Sequence, residues 1–194
     1  MQKLILVRHS VPEIDAQLRA ADWHLSDEGR RRCTGLAEAL RPYAPRLFVS
    51  SPEPKARETA ALVAGALGVP CELDQDLREH GRSSVSQLPQ ERFRAAIADL
   101  FAHSEELVFG DETGVAAEQR FTQAVERVCS LHKDGTVVLV SHGTVISLYV
   151  ARISDCDAFT FWKELGLPAF VVITLAGLTV DRVDNTLRPP GLEL

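Results

Sequence analysis

The chain has 194 residues, 45% of them apolar and 25% charged, which is the composition of a folded globular protein and excludes a disordered one. Its 21 Lys and Arg against 27 Asp and Glu leave a formal charge of −6, which argues against nucleic acid or an anionic membrane surface as partner. A small anionic substrate stays open, because a pocket can be locally positive inside an acidic protein.

The length suits a single domain spanning residues 1–194. Lys3–Arg8 is a short, branched apolar run that predicts a buried strand. Its apolar part, Leu4 to Val7, is too short for a signal-peptide core or a membrane span. Ser26-Asp27-Glu28 opens a helix with a capping residue followed by acids. Cys33, Leu36, Ala37 and Leu40 then share one helical face, and Pro42 and Pro45 end it. Arg46–Ser50 reads as a second strand. Ser51-Pro52-Glu53-Pro54 leads into a helix whose inner face is Ala56, Ala60, Val63 and Leu67 and which Gly68 stops. Val69, Cys71 and Leu73 alternate with polar residues as a third strand. Residues 80–88 are polar and serine-rich, hence a loop. Pro89–His103 and Val115–His132 read as helices, the second with Ala117, Phe121, Ala124, Val125 and Val128 on one side. Thr136–Ser141 is the strongest strand in the chain. Thr144–Arg152 and Asp157–Leu165 follow as helices. Phe170–Leu175 and Thr179–Val183 are strands that meet around Ala176-Gly177-Leu178, and the last seven residues, RPPGLEL, are a tail.

This alternation predicts an α/β fold, a three-layer αβα sandwich with a mostly parallel sheet and an antiparallel edge. The stretch of about 80–132 has no strong strand and is expected to form a helical cap over one end of the sheet. The C-terminal edge strands are the expected surface for a homodimer. Four scattered cysteines, Cys33, Cys71, Cys129 and Cys156, form no CxxC pair, so reduced thiols of a cytoplasmic protein are expected, with Cys33 and Cys71 at apolar positions.

Two chemical features coincide at strand ends. The first strand ends in Arg8-His9 and the strongest in Ser141-His142-Gly143. In an open α/β sheet, ligands bind beyond the carboxyl ends of parallel strands, so two such histidines can face one pocket. Arg57, in the first turns of its helix, is poorly placed for the helix dipole. With Arg8 it would make a guanidinium fork for a phosphate, which helix N-termini also attract. Plainer readings stand beside these: a satisfied polar histidine at each strand end, and for Arg57 a surface ion pair with Glu53 or Glu58. His24, His103 and His132 have no such placement, and His80 is left open by its neighbour Glu79.

Strand-Arg8-His9, then Leu25-Ser26-x-x-Gly29, then Ser51-Pro52…Arg57-Glu58-Thr59-Ala60, then Ser141-His142-Gly143 occur in that order across residues 3–152. In these motifs the chain resembles the histidine phosphatase superfamily, the phosphoglycerate-mutase-like enzymes. The resemblance implies that His9 is a nucleophile that becomes a transient phosphohistidine. It implies that Arg8, Arg57 and His142 bind the phosphoryl oxygens and stabilise transition-state charge, so that neither a metal nor another cofactor is needed. The acid-phosphatase branch places an Asp after the second histidine, where this chain has Gly143. The other branch uses a Glu after the third strand, and Glu79 fits that position as general acid and later base. An exposed loop carboxylate is the plainer alternative there, and Asp76, Glu13 and Asp111 are fallback acids.

Three departures mark this chain. Ser10 stands where the family usually has glycine, with its N–H and hydroxyl as candidate phosphate contacts. Val11-Pro12-Glu13 replaces a polar continuation, and Pro12 has no N–H to donate. Gly81-Arg82-Ser83-Ser84-Val85 replaces the usual glycine-tryptophan-glutamate signature. The expected activity is hydrolysis of a small phosphorylated metabolite, with inorganic phosphate as product. Phosphoglycerate mutase-type transfer ranks behind it, because the chain is short. A silent anion-binding pseudoenzyme is the reading from another class. Selectivity is expected from Arg82, Arg92, Phe93, Arg94 and Phe101, unless these are a solvated face with core aromatics.

Overall fold

The computed structural model describes residues 2–85 and 88–185, and the expected tail lies outside them. In chain order the elements are β1 (Lys3–Arg8), α1 (Asp27–Leu40), β2 (Pro45–Ser50), α2 (Pro54–Leu67), β3 (Cys71–Leu73), α3 (Gln90–Ala102), α4 (Gly114–Leu131), β4 (Thr136–Ser141), α5 (Gly143–Ile153), α6 (Ala158–Glu164), β5 (Ala169–Thr174) and β6 (Thr179–Asp184). The sheet order is β3-β2-β4-β1-β5-β6. Strands β1 to β4 run parallel, and β5 and β6 close one edge as an antiparallel hairpin.

Successive strand side chains point to opposite faces, and this period of two sorts the apolar residues into two cores. Leu4, Leu6, Val137, Leu139, Val171 and Ile173 face one side, where they meet α4 and α5. Ile5, Val7, Val138, Val140, Phe170 and Val172 face the other, where they meet α1 and α2. Each such side chain contributes on the order of 1.5–3 kcal/mol when fully buried. Helices on both faces make the expected three layers.

Two expectations change. The cap is smaller than 80–132, because α4 lies on the sheet: Ala117, Phe121, Ala124, Val125 and Val128 are its inner stripe in the main core. What remains as a cover is α3, which packs Ile97 and Leu100 in a separate small cluster with Phe109, Phe93, Phe159 and Trp162. Cys33 is buried as expected, but Cys71 is exposed, because β3 is an edge strand whose side chains all face solvent. The opposite edge strand, β6, carries Asp181, Arg182 and Asp184, a pattern that opposes strand-to-strand association. Among the described residues no helix is long and apolar enough to cross a membrane.

The β1–α1 connection is held by one close approach. Ser26 caps α1 by accepting from the Gly29 N–H at 3.0 Å, and its own N–H and hydroxyl both bind the Val11 carbonyl. A Cβ on Gly29 would run into that same carbonyl oxygen. Gly29→Ala therefore pushes Val11 away and loosens the cap. The expected cost is about 3 kcal/mol, seen as a fall in Tm of roughly 6–12 °C in a thermal melt.

Candidate active site

The register of the central strands assembles the site. Arg8 pairs with Ser141 across β1 and β4, so the next residue of each strand, His9 and His142, stand side by side. The ring centroids are 5.1 Å apart, edge to face. Strand β2 flanks β4 on its other side, and Ser51, just beyond its end, binds Val140 O through its N–H at 2.9 Å. Three strand ends thus place Arg8-His9, Ser51 and His142 in one row.

His9 is 6% exposed. Its Nδ1 lies 2.7 Å from the Ser10 carbonyl, which only accepts, so Nδ1 carries the proton and Nε2 keeps its lone pair. Nε2 has no partner among the described residues. Burial, and then the nearby His142, Lys55 and Arg8, hold the ring well below the ordinary imidazole range. His9 is therefore a neutral imidazole with an open nitrogen at pH 7.

His142 is fully buried and is likewise held neutral, by burial first and by the Lys55 charge next. Ser51 Oγ accepts from the Glu53 N–H at 3.3 Å and lies 2.7 Å from His142 Nε2. That contact takes up Nε2 and leaves Nδ1 as the open nitrogen of the ring. That Nδ1 is buried without a partner among the described residues, and so are Arg8 Nε and Arg82 Nη1. Buried polar groups left unsatisfied cost about 1–3 kcal/mol each, and an anion bound by the two guanidinium donors recovers part of that.

Arg8 also donates from Nη1 to the Leu165 carbonyl. Burial pushes its pKa down to about 10, so it stays a cation at neutral pH. Gly143 is where Arg8 passes: a Cβ there would stand 3.1 Å from Arg8 Cζ and 3.1 Å from Trp162 Nε1. This packing gives a physical reason for glycine, and for no acid, directly after the second histidine.

Glu79 lies inside the site. Its oxygens accept from the N–H groups of His80, Thr144 and Val145, the last two at the N-terminus of α5, and Arg82 Nη2 is 3.2 Å away. Burial alone would raise its pKa, but Arg82, His142 and the backbone donors win and hold it well below the ordinary carboxylate range. Arg120 on α4 fixes the turn that carries it, donating to the carbonyls of Asp76, Arg78 and Glu79. The sheet-packed α4 is thus what positions Glu79. The fallback acids are elsewhere: Glu13 is exposed, Asp76 pairs with Arg127, and Asp111 accepts from Ser83 and Ser84.

Two of the expected phosphate contacts are corrected. Ser10 has no group to offer, because its N–H donates to Thr59 Oγ1 at 3.0 Å and its hydroxyl to the Gly29 carbonyl at 2.8 Å. Arg57 is exposed. In its place Lys55 is 6% exposed and bears on both histidines. Helical phase explains the exchange: Lys55 and Thr59 are one turn apart on the inner face, whereas Arg57 is about 200° round the helix from each. Arg57→Ala is expected to leave KM within about twofold and stability within about 0.5 kcal/mol, read by steady-state kinetics and a melt.

Arg82 enters from the loop after Glu79, its guanidinium 5.1 Å over the Phe93 ring. Phe93 in turn stands 6.0 Å from Trp162. Arg82 and Phe93 thus come to the site as expected, while Arg92 and Arg94 are exposed and Phe101 packs near Phe159. His80 is buried and stacked on Phe109, its Nε2 2.7 Å from the Glu112 carbonyl. His24 pairs with Glu58 and His103 with Asp99, away from the site. The sequence reading missed Lys55, Glu53, Ser51, Arg120 and Trp162. Lys55 had a local signal in its phase on the helix, and Ser51 in its place directly after the second strand.

A family model described as the histidine phosphatase superfamily (branch 1) matches residues 4–178. A probable phosphoglycerate mutase from Erwinia tasmaniensis is 26% identical over 202 residues, covering 97% of this chain and 87% of that protein. A glucosyl-3-phosphoglycerate phosphatase from Mycolicibacterium vanbaalenii is 29% identical, covering 86% of this chain and 80% of its own length. Among solved structures, a variant phosphoserine phosphatase from Entamoeba histolytica, in complex with phosphoserine, superposes with a TM-score of 0.79 at 18% identity, covering 98% of this chain and 100% of that one.

Proposed function

Because the chain belongs to the histidine phosphatase superfamily, we propose that it is a metal-independent phosphatase acting on small phosphomonoesters through a phosphohistidine on His9. The observation that carries the reading is the open His9 Nε2 in a site with two buried guanidinium donors, Arg8 Nε and Arg82 Nη1, and the His142 Nδ1, all without a partner among the described residues. A tetrahedral phosphoryl group satisfies those donors and meets that lone pair.

Nε2 attacks phosphorus as the bond from phosphorus to the ester oxygen breaks, and the leaving oxygen takes a proton that Glu79 relays from the substrate's own phosphoryl group. Water then loses a proton to the Glu79 carboxylate and attacks phosphorus. The P–N bond breaks, and inorganic phosphate leaves with His9 neutral again. Relatives named for glucosyl-3-phosphoglycerate and phosphoserine support a small phosphorylated metabolite as substrate. We place the protein in the cytoplasm, a reading supported by its four unpaired thiols.

The test is phosphate release from an aryl phosphate and from a panel of phosphorylated metabolites, with and without chelator, alongside rapid-quench recovery of alkali-stable phosphate on the protein. Release that a chelator leaves unchanged, together with labelled protein, is expected. No release and no labelling with any substrate would sink the proposal. Movement of phosphate between positions of one sugar acid, without free phosphate, would make the enzyme a mutase.

A further inference from the structure

The proposed phosphate cage contains a carboxylate that the reaction above does not use. Glu53 is the residue before α2, yet its side chain caps nothing there. It turns into the site, 11% exposed. One oxygen binds Lys55 Nζ at 2.5 Å. The other accepts from the Glu79 N–H at 2.8 Å and stands 3.5 Å from His142 Nε2. Lys55 completes its shell with the Ala20 carbonyl at 2.7 Å. Each carboxylate in the site thus pairs with one cation, Glu53 with Lys55 and Glu79 with Arg82, while Arg8 donates to the Leu165 carbonyl.

Resting on the phosphatase reading, we infer that Glu53 is a specificity-determining residue, a built-in competitor for Lys55 that weakens the hold on free inorganic phosphate and so favours product release. A phosphate dianion that reaches Lys55 must share it with Glu53 and sits near a second negative charge. Like charges brought together in a buried site are costly, and a competing anion lowers the return from the remaining cation. Glu79 escapes this conflict by taking a proton during the cycle. Glu53 has no such part in the cycle.

The test measures inorganic phosphate binding by calorimetry on wild type, Glu53→Gln, Lys55→Gln and the double variant. The glutamine oxygen still accepts from the Glu79 N–H, while its amide nitrogen offers Lys55 no acceptor, so the charge and the hold on Lys55 are removed together. Glu53→Gln is expected to bind phosphate roughly tenfold more tightly, with the matching fall in the inhibition constant for phosphate. The double variant is expected to show no gain over Lys55→Gln, because the effect acts through Lys55. Equal or weaker binding by Glu53→Gln, or the same gain without Lys55, would overturn the inference and leave the phosphatase reading standing. If no variant binds phosphate, both fall. Should Glu53→Gln lack a cooperative melt, Lys55→Arg carries the test. Its five donors can serve Glu53 and phosphate together, so tighter binding is expected, and unchanged or weaker binding counts against the inference.

Discussion

Replacing His9 with alanine is expected to lower phosphate release by roughly 10⁴-fold or more and to remove all phosphate from the quenched protein. The size follows from the site having one nucleophile. His142, the other ring in reach, is fully buried and has its Nε2 on Ser51, so it is not free to substitute. The Ser10 carbonyl fixes the His9 tautomer, and burial, with the surrounding charges, keeps Nε2 unprotonated. Since the folded-state pKa of His9 is depressed, the nucleophile is not lost as pH falls from 8 to 6. Binding of phosphate to His9→Ala should persist, because Arg8, Arg82 and His142 are intact. Residual turnover near the wild-type level would place the nucleophile elsewhere.

Glu79→Gln is expected to slow hydrolysis of an alkyl phosphate by roughly 10²–10⁴-fold. With a nitrophenyl phosphate, whose leaving group needs no proton, the same variant should give a burst of one phenolate per enzyme and then slow turnover. The burst isolates the second step, in which the carboxylate is the base. The pH dependence follows from the same geometry. Glu79 is held well below the ordinary carboxylate range, so the free enzyme carries no proton there between pH 5 and 8. The proton must then arrive with the substrate, whose phosphoryl group takes up its second proton near pH 6. For wild type, kcat/KM on an alkyl phosphate should rise as pH falls from 8 towards 6 and level off below. Equal losses on alkyl and nitrophenyl substrates, with no burst, would remove Glu79 from proton transfer.

The elements and the two histidines were legible in the sequence for the same reason. A strand such as Leu4–Val7 or Val137–Val140 announces itself by local composition, and the residue after a parallel strand stands at a ligand-binding edge. Glu79 was found through family resemblance, but not what restrains it. The N–H groups of Thr144 and Val145 come from a helix 65 residues or more away in sequence. The exchange of Arg57 for Lys55 was readable from helical phase, since the buried Ala56, Ala60 and Val63 define which side faces inward. The role of α4 was not readable: an apolar stripe shows that a helix is covered, not by what. Glu53 was equally silent, because a carboxylate before a helix looks like a cap until its side chain is seen to turn away.

The first strand of the chain is flanked by two of the last. Strand β1 pairs with β4 at Thr136–Ser141 and with β5 at Ala169–Thr174. On the ribosome, Leu4–Val7 therefore wait unpartnered while most of the chain is made, on the order of ten seconds at ordinary elongation rates. During that interval the nascent chain displays a sticky apolar ribbon, a natural target for chaperones. His9 meets His142 only once β4 has been made, so catalytic competence doubles as a reporter that the first strand has found its place in the sheet.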